Sequence, residues 1–309
     1  MDRLFFRMNK KLSHIGEFGL IDLLKQKMSS SRDVIKGIGD DAAVMRLDVR
    51  KFLLLTTDML VEGVHFTKRM DPFGIGHKAM ACNISDIAAM GGWPTFAVVS
   101  LGVPGRLGVD FVKKIYQGLN ALARSFRVAI VGGDTVRSRT IVINVALLGE
   151  VNRRQLVLRS GAKVGDQIFV TGPLGRSFQS GRHLTFTPRI AESQFLVKHF
   201  LPTAMIDLSD GLSSDLGHIL DQSRVAARIY ADKVPLNPRA TLQQALTDGE
   251  DFELLFTLPK KEASRLAKTK SKGCEWIWIG EIVEKKNGLI LRSRHGQETP
   301  VRRKGFRHF

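Results

Sequence analysis

The chain has 309 residues, 43% of them hydrophobic, and a formal net charge of +17. This length allows two domains at roughly 100–200 residues each, and no apolar run approaches the roughly 18 residues of a membrane span. The charge could indicate a nucleic-acid partner. However, the Lys and Arg residues are dispersed, with no aromatic-interleaved strip, which favours a solvated basic surface. Two cysteines, Cys82 and Cys274, lack metal-ligand spacing and indicate a reduced, cytoplasmic setting.

The first half of the chain alternates predicted helices and strands. Hydrophobic periodicity predicts helices over 13–27, 72–90 and 109–126, and strands over 52–55, 96–103, 128–131 and 140–149. Gly91 and Gly92, with Pro94 beyond them, are a normal stop signal for the second helix. Acidic turns are expected after the strands, including the one at 132–135.

A connecting segment over 158–163 leads into a second half of similar make-up. Strands are predicted over 166–171, 227–230, 252–257, 276–283 and 288–292. Helices are predicted up to about Gln222 and over 262–270. The two halves therefore predict a mixed helix-and-strand protein without short-period repeats.

The stretch LLLTTDMLVEGVHF, residues 53–66, is the strongest single indication of a site. Its apolar first half predicts a buried strand that ends at Thr56, Thr57 and Asp58, which would gather oxygen ligands at the strand tip. A glycine turn and His65 follow directly. A rigid strand that presents oxygen atoms at its end is a suitable scaffold for a metal site. For His65 alone, a packed or hydrogen-bonded strand-end histidine is an almost equally good interpretation.

Further acids recur in short clusters, most of which follow an apolar run and neighbour glycine. They are Asp40 with Asp41, Asp58, Asp86, Asp134, Asp207 with Asp210, Asp215, and Glu250 with Asp251. Any single one is most simply a capping or turn residue, because turns favour Asp and Gly. For Asp215 and Asp251 in particular, a carboxylate that faces solvent is the simple alternative.

Convergence of several acids would require a compensating cation. Two carboxylates ~4 Å apart repel by ~4 kcal/mol at an effective dielectric near 20. Hard carboxylate ligands favour Mg²⁺, which substrate phosphates often complete, so the set predicts a phosphoryl-transfer site. The sequence has no P-loop motif and no protein-kinase catalytic loop. The GIGDDA stretch at 37–42 is not a dinucleotide fingerprint, because adjacent carboxylates would repel a pyrophosphate.

Eight stretches, in this order, resemble the thiamine-monophosphate kinase family of the aminoimidazole-ribonucleotide-synthetase-like superfamily. They are GIGDDAAV, TTDMLVEGVHF, NISDIAAMGG, VGGDT, LRSGAKVGD, IDLSDGLSSDLGHI, DGEDFELLF and the terminal GFRHF. Together they cover nearly the whole chain, and EGVHF, DLSDGLSSDLGHI and GEDFELLF favour this branch of the superfamily. The nearest alternative is another ATP-using enzyme of the superfamily that acts on a different small molecule. A basic nucleic-acid-binding protein is a remote alternative.

The resemblance implies an α+β fold with two domains of the aminoimidazole-ribonucleotide-synthetase-like type. Residues 1–150 would form an N-terminal, sheet-forming domain that binds ATP and Mg²⁺ and dimerises through its strands. Residues 151–309 would form a C-terminal, α/β sandwich-like domain that completes the active site. A homodimer is therefore expected, with no membrane partner.

The resemblance also implies that ATP and thiamine monophosphate give ADP and thiamine diphosphate by direct in-line transfer. The expected ligands of several Mg²⁺ ions are Asp41, Thr56, Thr57, Asp58, Asp86, Asp134, Asp207 and Asp210. The expected ATP contacts are Tyr116, Gly133, Asp134, Arg159 and Ser209. The expected substrate contacts are His65, Glu250 and the ring of Phe306, which would stack on the cationic thiazolium.

Three features qualify these roles. No general base is assigned, because a phosphate monoester with a second pKa of about 6 is already ionised near neutral pH. Tyr116 rests on its helix position alone, and the alternative of a core aromatic on an amphipathic helix is stronger for it than for the other residues. The chain also departs from the family pattern after 172–175, with Arg176 at a usually acidic position and a shortened segment before His183. Because every motif is spared, we expect this departure to affect packing more than chemistry.

Overall fold

The computed structural model describes residues 11–28, 31–269, 275–306 and 308. Within this part of the chain, no helix is both long enough and apolar enough to cross a membrane. Cys82 is buried and carries a free thiol, whereas Cys274 lies outside the described residues.

The N-terminal half of the chain builds a six-stranded sheet with helices packed on one face. Its strands are β1 (Val34–Lys36), β2 (Ala43–Arg46), β3 (Lys51–Val61), β4 (Trp93–Val103), β5 (Ala129–Arg137) and β6 (Val142–Asn152). They lie in the order β1-β2-β3-β6-β4-β5, and all pairs are antiparallel except β4 with β5. The helices packed on the sheet are α2 (Pro72–Ala89) and α3 (Val109–Ser125), whereas Phe18 of α1 (Leu12–Lys25) contacts His218 of the C-terminal half. The predicted helices are confirmed. The short strands β1 and β2 were not predicted from the sequence.

The strand β3 is longer than the sequence predicts. It pairs with β6 without interruption, from Lys51 opposite Asn152 to Val61 opposite Val142. Thr56, Thr57 and Asp58 therefore lie inside the strand, and the prediction that they form its tip is wrong. Side chains alternate along a strand, so the central Thr57 faces away from the side occupied by its two neighbours.

The strand β5 also continues through a predicted turn. Residues 132–135, of the sequence GGDT, pair with residues 98–101 of β4. This pairing keeps the glycines extended inside the ladder, so the expected acidic turn after the strand is wrong at this position. β5 lies at the edge of the sheet, and nearly all of its side chains are exposed.

The helix α2 is the central element of the N-terminal domain. Its N-cap is Asp71, whose carboxylate accepts hydrogen bonds from two backbone N–H groups of the first turn. Nearly every residue of the helix is buried between the sheet, α3 and the C-terminal domain. Gly76 and Gly118 permit close packing of α2 and α3, because a Cβ at either position would lie 1.9 Å from a backbone oxygen of the other helix.

The C-terminal half forms a second, seven-stranded sheet in the order β13-β12-β9-β11-β7-β10-β8. Its strands are β7 (Gln167–Val170), β8 (Ala204–Asp207), β9 (Ala226–Tyr230), β10 (Leu254–Leu258), β11 (Ile277–Val283), β12 (Leu289–Arg292) and β13 (Glu298–Pro300). Its helices are α4 (Ser177–Ser180), α5 (Ile190–His199), α6 (Leu212–Ser223), α7 (Leu242–Thr247) and α8 (Lys260–Leu266). The predicted α+β fold with two domains is confirmed, and the boundary after residue 150 stays a prediction.

The shortened segment that follows β7 packs the two domains together. It contains the single-turn helix α4 and leads into α5, which lies against α2. Ser193 of α5 donates to the carbonyl oxygen of Ala88 at 2.5 Å, and Gln194 donates to the carbonyl oxygens of Gly91 and Gly92 at 3.0 and 2.8 Å. These bonds satisfy backbone groups at the C-terminal end of α2 and fix the C-terminal domain against it.

Candidate active site

Carboxylates from distant parts of the chain meet where the two domains face each other. One oxygen each of Asp41, Asp86 and Asp207 lies within 4.8 Å of the others. Asp41 precedes β2, Asp86 lies near the C-terminal end of α2, and Asp207 ends β8. A carboxylate at a helix C-terminus is opposed by the helix dipole, which argues against a purely structural role for Asp86. The predicted convergence of these three residues is present in the structure.

Burial and mutual repulsion disfavour the ionised forms of these carboxyl groups. Burial, with a contribution from Asp41, raises the pKa of Asp207 to about 8. Burial also raises the pKa of Asp210 to about 7 and, with the charge of Glu250 nearby, that of Asp58 to about 6. The pKa of Asp86 lies well above its ordinary value for the same reasons, burial first and the Asp58 charge second. A cation placed among them would reverse this balance.

The donor set fits a hard divalent cation. Among the described residues, one carboxylate oxygen of Asp41 is buried without a hydrogen-bond partner. Thr56 Oγ1 donates to Asp86 Oδ2 at 2.5 Å, and Ser85 Oγ donates to Asp207 Oδ2 at 2.6 Å, which orients both carboxylates. Oxygen-only ligands of this kind suit Mg²⁺ or Ca²⁺.

Arg159 is the cation that accompanies these acids. Its Nη2 donates to Asp41 Oδ1 at 2.6 Å, and its backbone N–H donates to Asp40 Oδ1 at 3.1 Å. Burial opposes its charge, but the Asp41 carboxylate outweighs that effect and holds the pKa of Arg159 above its ordinary value. We call the group of Asp41, Asp58, Asp86, Asp207 and Arg159 the metal end of the cleft.

A second group, the acceptor end, consists of His65, Lys78, Glu250 and Phe306. Lys78 Nζ donates to the carbonyl oxygen of His65 at 2.9 Å and forms an ion pair with Glu250. The ring centroids of His65 and Phe306 lie 6.3 Å apart. The structure thus brings together the three residues predicted for the substrate side.

The ring of His65 is neutral and has a defined tautomer. Its Nδ1 accepts a hydrogen bond from the backbone N–H of Val61 at 3.0 Å, so the ring hydrogen lies on Nε2. Burial, followed by the charge of Lys78, lowers the pKa of His65 to about 4. His65 is therefore a hydrogen-bond donor rather than a cation near neutral pH.

A strained turn presents Glu250 to the cleft. Glu250 and Phe252 have φ angles of 61° and 50°, values that side chains other than glycine rarely adopt. The backbone N–H of Glu250 donates to the carbonyl oxygen of Ser209 at 2.7 Å, which also places Ser209 beside the acids. Asp251 anchors the turn by accepting from the backbone N–H of Gly175 at 2.9 Å.

Two acids for which the sequence left a solvent-facing position open are buried. Asp251 is fully buried and bonded as described above, and Asp215 is 2% exposed. Asp215 Oδ2 accepts from the backbone N–H groups of Asp210 and Gly211, both at 3.0 Å. The solvent-facing alternative does not hold, because both carboxylates accept hydrogen bonds from backbone groups of tight turns inside the domain.

Lys78 is the residue that the sequence analysis missed. It lies on α2, nearly all of whose residues are buried, and is itself 0% exposed. The available signal was a lysine directly before the apolar residues 79–82 of that helix. Buried lysines are rare unless paired, but the sequence offered no means of naming the partner.

Thr57 does not join the other predicted ligands within one copy of the chain. Its hydroxyl lies on the opposite face of the sheet from Thr56, 3.1 Å from the carbonyl oxygen of Val145. The alternation of side chains along β3 is the reason. The structure of a single copy therefore does not support the prediction that the Thr57 side chain is a metal ligand.

Gly133, Asp134 and Tyr116 also lie apart from the cluster. Asp58 lies opposite a residue of β6, which in turn lies opposite a residue of β4. That residue of β4 lies opposite Gly133 of β5, so three strand spacings separate Asp58 from Gly133. Three strand spacings of ~4.8 Å amount to ~14 Å. Tyr116 is half-buried on α3 against the N-terminal core, and no hydrogen bond among the described residues links it to the acids. The predicted roles of these three residues stay predictions.

Comparison with known proteins points in the same direction. The family model for the N-terminal domain of AIR synthase related protein matches residues 39–151, and the model for its C-terminal domain matches residues 163–292. The thiamine-monophosphate kinase of Aquifex aeolicus (strain VF5) is 35% identical over 97% of this chain and 100% of its own length. That of Escherichia coli (strain K12) is 35% identical over 95% of this chain and 98% of its own length.

Solved structures show the same relationship. The structure of AaThiL complexed with AMPPCP and TMP has a TM-score of 0.85 and 34% sequence identity, covering 98% of this chain and 100% of that one. Thiamine-monophosphate kinase from Stenotrophomonas maltophilia K279a has a TM-score of 0.72 and 33% identity, covering 89% of this chain and 96% of that one. This chain therefore belongs to the thiamine-monophosphate kinase family, and its two domains are those of the AIR synthase related proteins.

Proposed function

We propose that this protein transfers the γ-phosphate of ATP to thiamine monophosphate, which yields ADP and thiamine diphosphate. The observation that carries the proposal is the adjacency of two unlike groups in one cleft. The metal end concentrates negative charge, and the acceptor end offers a neutral imidazole, a carboxylate and an aromatic ring. A relative with 34% sequence identity was solved with AMPPCP and TMP, which supports the assignment of the two substrates.

The metal end is suited to hold Mg²⁺. Asp41, Asp86 and Asp207 would be the ligands, with Asp58 and Asp210 close by. When bound, Mg²⁺ supplies positive charge that neutralises and orients the phosphates. The chain itself adds the guanidinium of Arg159, which suits phosphate oxygens because its N–H groups form a planar fork.

The acceptor end positions thiamine monophosphate without supplying a general base. The acceptor phosphate is already ionised near neutral pH, so the protein needs only to orient it and to exclude competing water. His65 Nε2–H is a donor, the Glu250 carboxylate complements the cationic thiazolium, and Phe306 offers a face on which that ring would stack. Orientation and electrostatics would then account for most of the rate enhancement.

The experiment is a coupled assay of ADP release with ATP and MgCl₂, in the presence and absence of thiamine monophosphate. We expect release to depend on thiamine monophosphate, with thiamine diphosphate formed in equal amount. Thiamine without its phosphate is the matched control acceptor, and we expect it to be inactive. Release that is unaffected by thiamine monophosphate, or that responds to a different acceptor, would overturn the proposal.

We also propose that the active form is a homodimer that covers the outer face of the N-terminal sheet, opposite α2. Large apolar side chains on this face are 40–55% exposed. They are Leu55, Met59, Phe96, Val98 and Val136. An exposed apolar patch indicates an interaction surface, and the open edge of β5 is a site for pairing with another strand.

A second copy would also account for the residues that one copy leaves apart from the acids. Thr57 and Asp134 lie on this same outer face, and Gly133 adjoins them on the edge strand. In a dimer they would be available to the nucleotide held between copies. We expect Phe96→Asp to yield monomers in sedimentation experiments and to lose activity. Val109→Asp, on the exposed start of α3, should remain dimeric and active.

A further inference from the structure

The most deeply buried cation of the cleft is Lys78, which the proposed chemistry does not itself use. It is 0% exposed and one of the largest fully buried side chains in the described part of the chain. Its ammonium donates to the carbonyl oxygen of His65 at 2.9 Å, within its own domain. It also pairs with the carboxylate of Glu250, which belongs to the C-terminal domain. One side chain thus connects two of the three predicted substrate contacts, His65 and Glu250, across the domain boundary.

A buried lysine in this position requires an explanation. Removing an ammonium from water costs several kcal/mol, and a well-packed apolar residue is often as stable or more stable than a buried ion pair. The helix around Lys78 is otherwise rich in buried Ala, Met and Ile, so an apolar side chain would suit the packing. The lysine therefore serves something other than the stability of α2.

The electrostatic neighbours of Lys78 show where its charge acts. It opposes the rise that burial causes in the pKa of Asp58, and it adds to the lowering by burial of the pKa of His65 and of His183. These groups come from β3, from the loop after it and from the C-terminal domain. Lys78 consequently lies at the junction of the metal end and the acceptor end.

We propose that Lys78 is a positioning residue for the acceptor substrate, which holds His65 and Glu250 at a fixed separation across the domain boundary. This inference rests on the proposed function. Without the ammonium, the Glu250 carboxylate would lose its partner inside the cleft, and the carbonyl of His65 would lose its donor. Thiamine monophosphate would then bind to two groups that are no longer held in register. ATP, which depends on the metal end, would be little affected.

The test is steady-state kinetics of Lys78→Met, a substitution of similar length without charge. We expect the KM for thiamine monophosphate to rise about tenfold, whereas the KM for ATP should stay within about twofold. Lys51→Met is the matched control, because Lys51 forms an exposed ion pair with Glu150 in the same domain. Neither KM should change in that variant.

A double-mutant cycle with Glu250→Gln separates positioning from a merely structural role. If Lys78 acts through Glu250, Lys78→Met should raise the KM for thiamine monophosphate much less in the Glu250→Gln background than in the wild type. Additive effects would overturn the inference. So would an equal rise of both KM values that accompanies a lowered Tm.

Two further arms keep the inference falsifiable. If Lys78→Met does not fold, Lys78→Gln retains a hydrogen-bond donor without the charge, and an unchanged KM for thiamine monophosphate in that variant would overturn the inference. Wild-type protein that releases no ADP with thiamine monophosphate would overturn the proposed function, and the inference with it. If the wild type is active and the KM of Lys78→Met for thiamine monophosphate is unchanged, the inference alone is overturned.

Discussion

The two ends of the cleft differ in how far their buried charges are compensated by charges of opposite sign. At the metal end, several carboxylates face a single guanidinium, and their pKa values are raised, that of Asp207 to about 8. At the acceptor end, the one buried cation is paired with a carboxylate, and the imidazole of His65 is neutral. Lys78 and Glu250 are already paired before any ligand arrives, and the Lys78 charge opposes the rise that burial causes in the pKa of Glu250.

This difference indicates that the two ends contribute differently to substrate binding. A group of uncompensated acids is stable in its ionised form only when cations arrive, so the metal end is completed by ions and phosphates. A compensated group needs no such completion and holds its geometry beforehand, which reduces the ordering that binding requires. The acceptor end therefore offers a preformed geometry to the thiazolium and the acceptor phosphate, whereas the metal end depends on cations for its completion.

The largest expected effect comes from the metal end. Asp58→Asn and Asp210→Asn should each lower kcat by about 10²–10³-fold or more, because each removes a charge that would face the cations of the transition state. The free energy of unfolding should not fall, since burial already disfavours the ionised forms of both groups. Kinetics at limiting MgCl₂ together with thermal unfolding will check both statements.

Asp110→Asn is the matched control for these two variants, because its side chain is exposed at the start of α3. It should retain full activity. Near-full activity of Asp58→Asn or Asp210→Asn at limiting Mg²⁺ would remove that residue from the set of ligands.

A smaller effect, confined to the acceptor end, is expected for Phe306→Ala. Loss of a cation–π contact worth about 1–2 kcal/mol should raise the KM for thiamine monophosphate about tenfold. The KM for ATP should not change, and Phe306→Trp should restore the wild-type value because it keeps an aromatic face. An unchanged KM for thiamine monophosphate in Phe306→Ala would exclude stacking.

The pH dependence of stability should further distinguish the metal end from the acceptor end. Carboxyl groups with a raised pKa in the folded state contribute stability at low pH that is lost as pH rises through the folded pKa. For Asp58, Asp210 and Asp207 these values are about 6, 7 and 8. We therefore expect the gain in Tm on adding MgCl₂ to grow between about pH 5 and pH 8. A gain of equal size at every pH, or one matched by NaCl at equal ionic strength, would contradict the assignment.

The smallest expected effect is that of DNA on activity, because the dispersed surface charges lie outside both ends of the cleft. Dispersed cations bind DNA weakly through counterion release, so any affinity should disappear between about 50 and 200 mM salt. ADP release should not respond to added DNA. Sequence-specific binding that survives moderate salt would revive the nucleic-acid interpretation.

The sequence by itself determined the elements whose signals are local. The helix α2 was predictable because its cap, its periodicity and its terminal glycines lie within a few residues of the structure they specify. The acidic motifs likewise indicated phosphoryl transfer, because glycine-flanked carboxylates after apolar runs are visible in single stretches. The resemblance then supplied the order in which these stretches belong together.

Only the tertiary structure decided which side chains meet. The face occupied by Thr57 depends on how far β3 pairs with β6, and the burial of Asp251 depends on a turn that folds back on the distant backbone of Gly175. The Lys78–Glu250 pair joins residues from the two domains, and no pattern in either stretch names its partner. Register and pairing arise from contacts between distant segments, so they are physical properties of the packed chain and not of any window of its sequence.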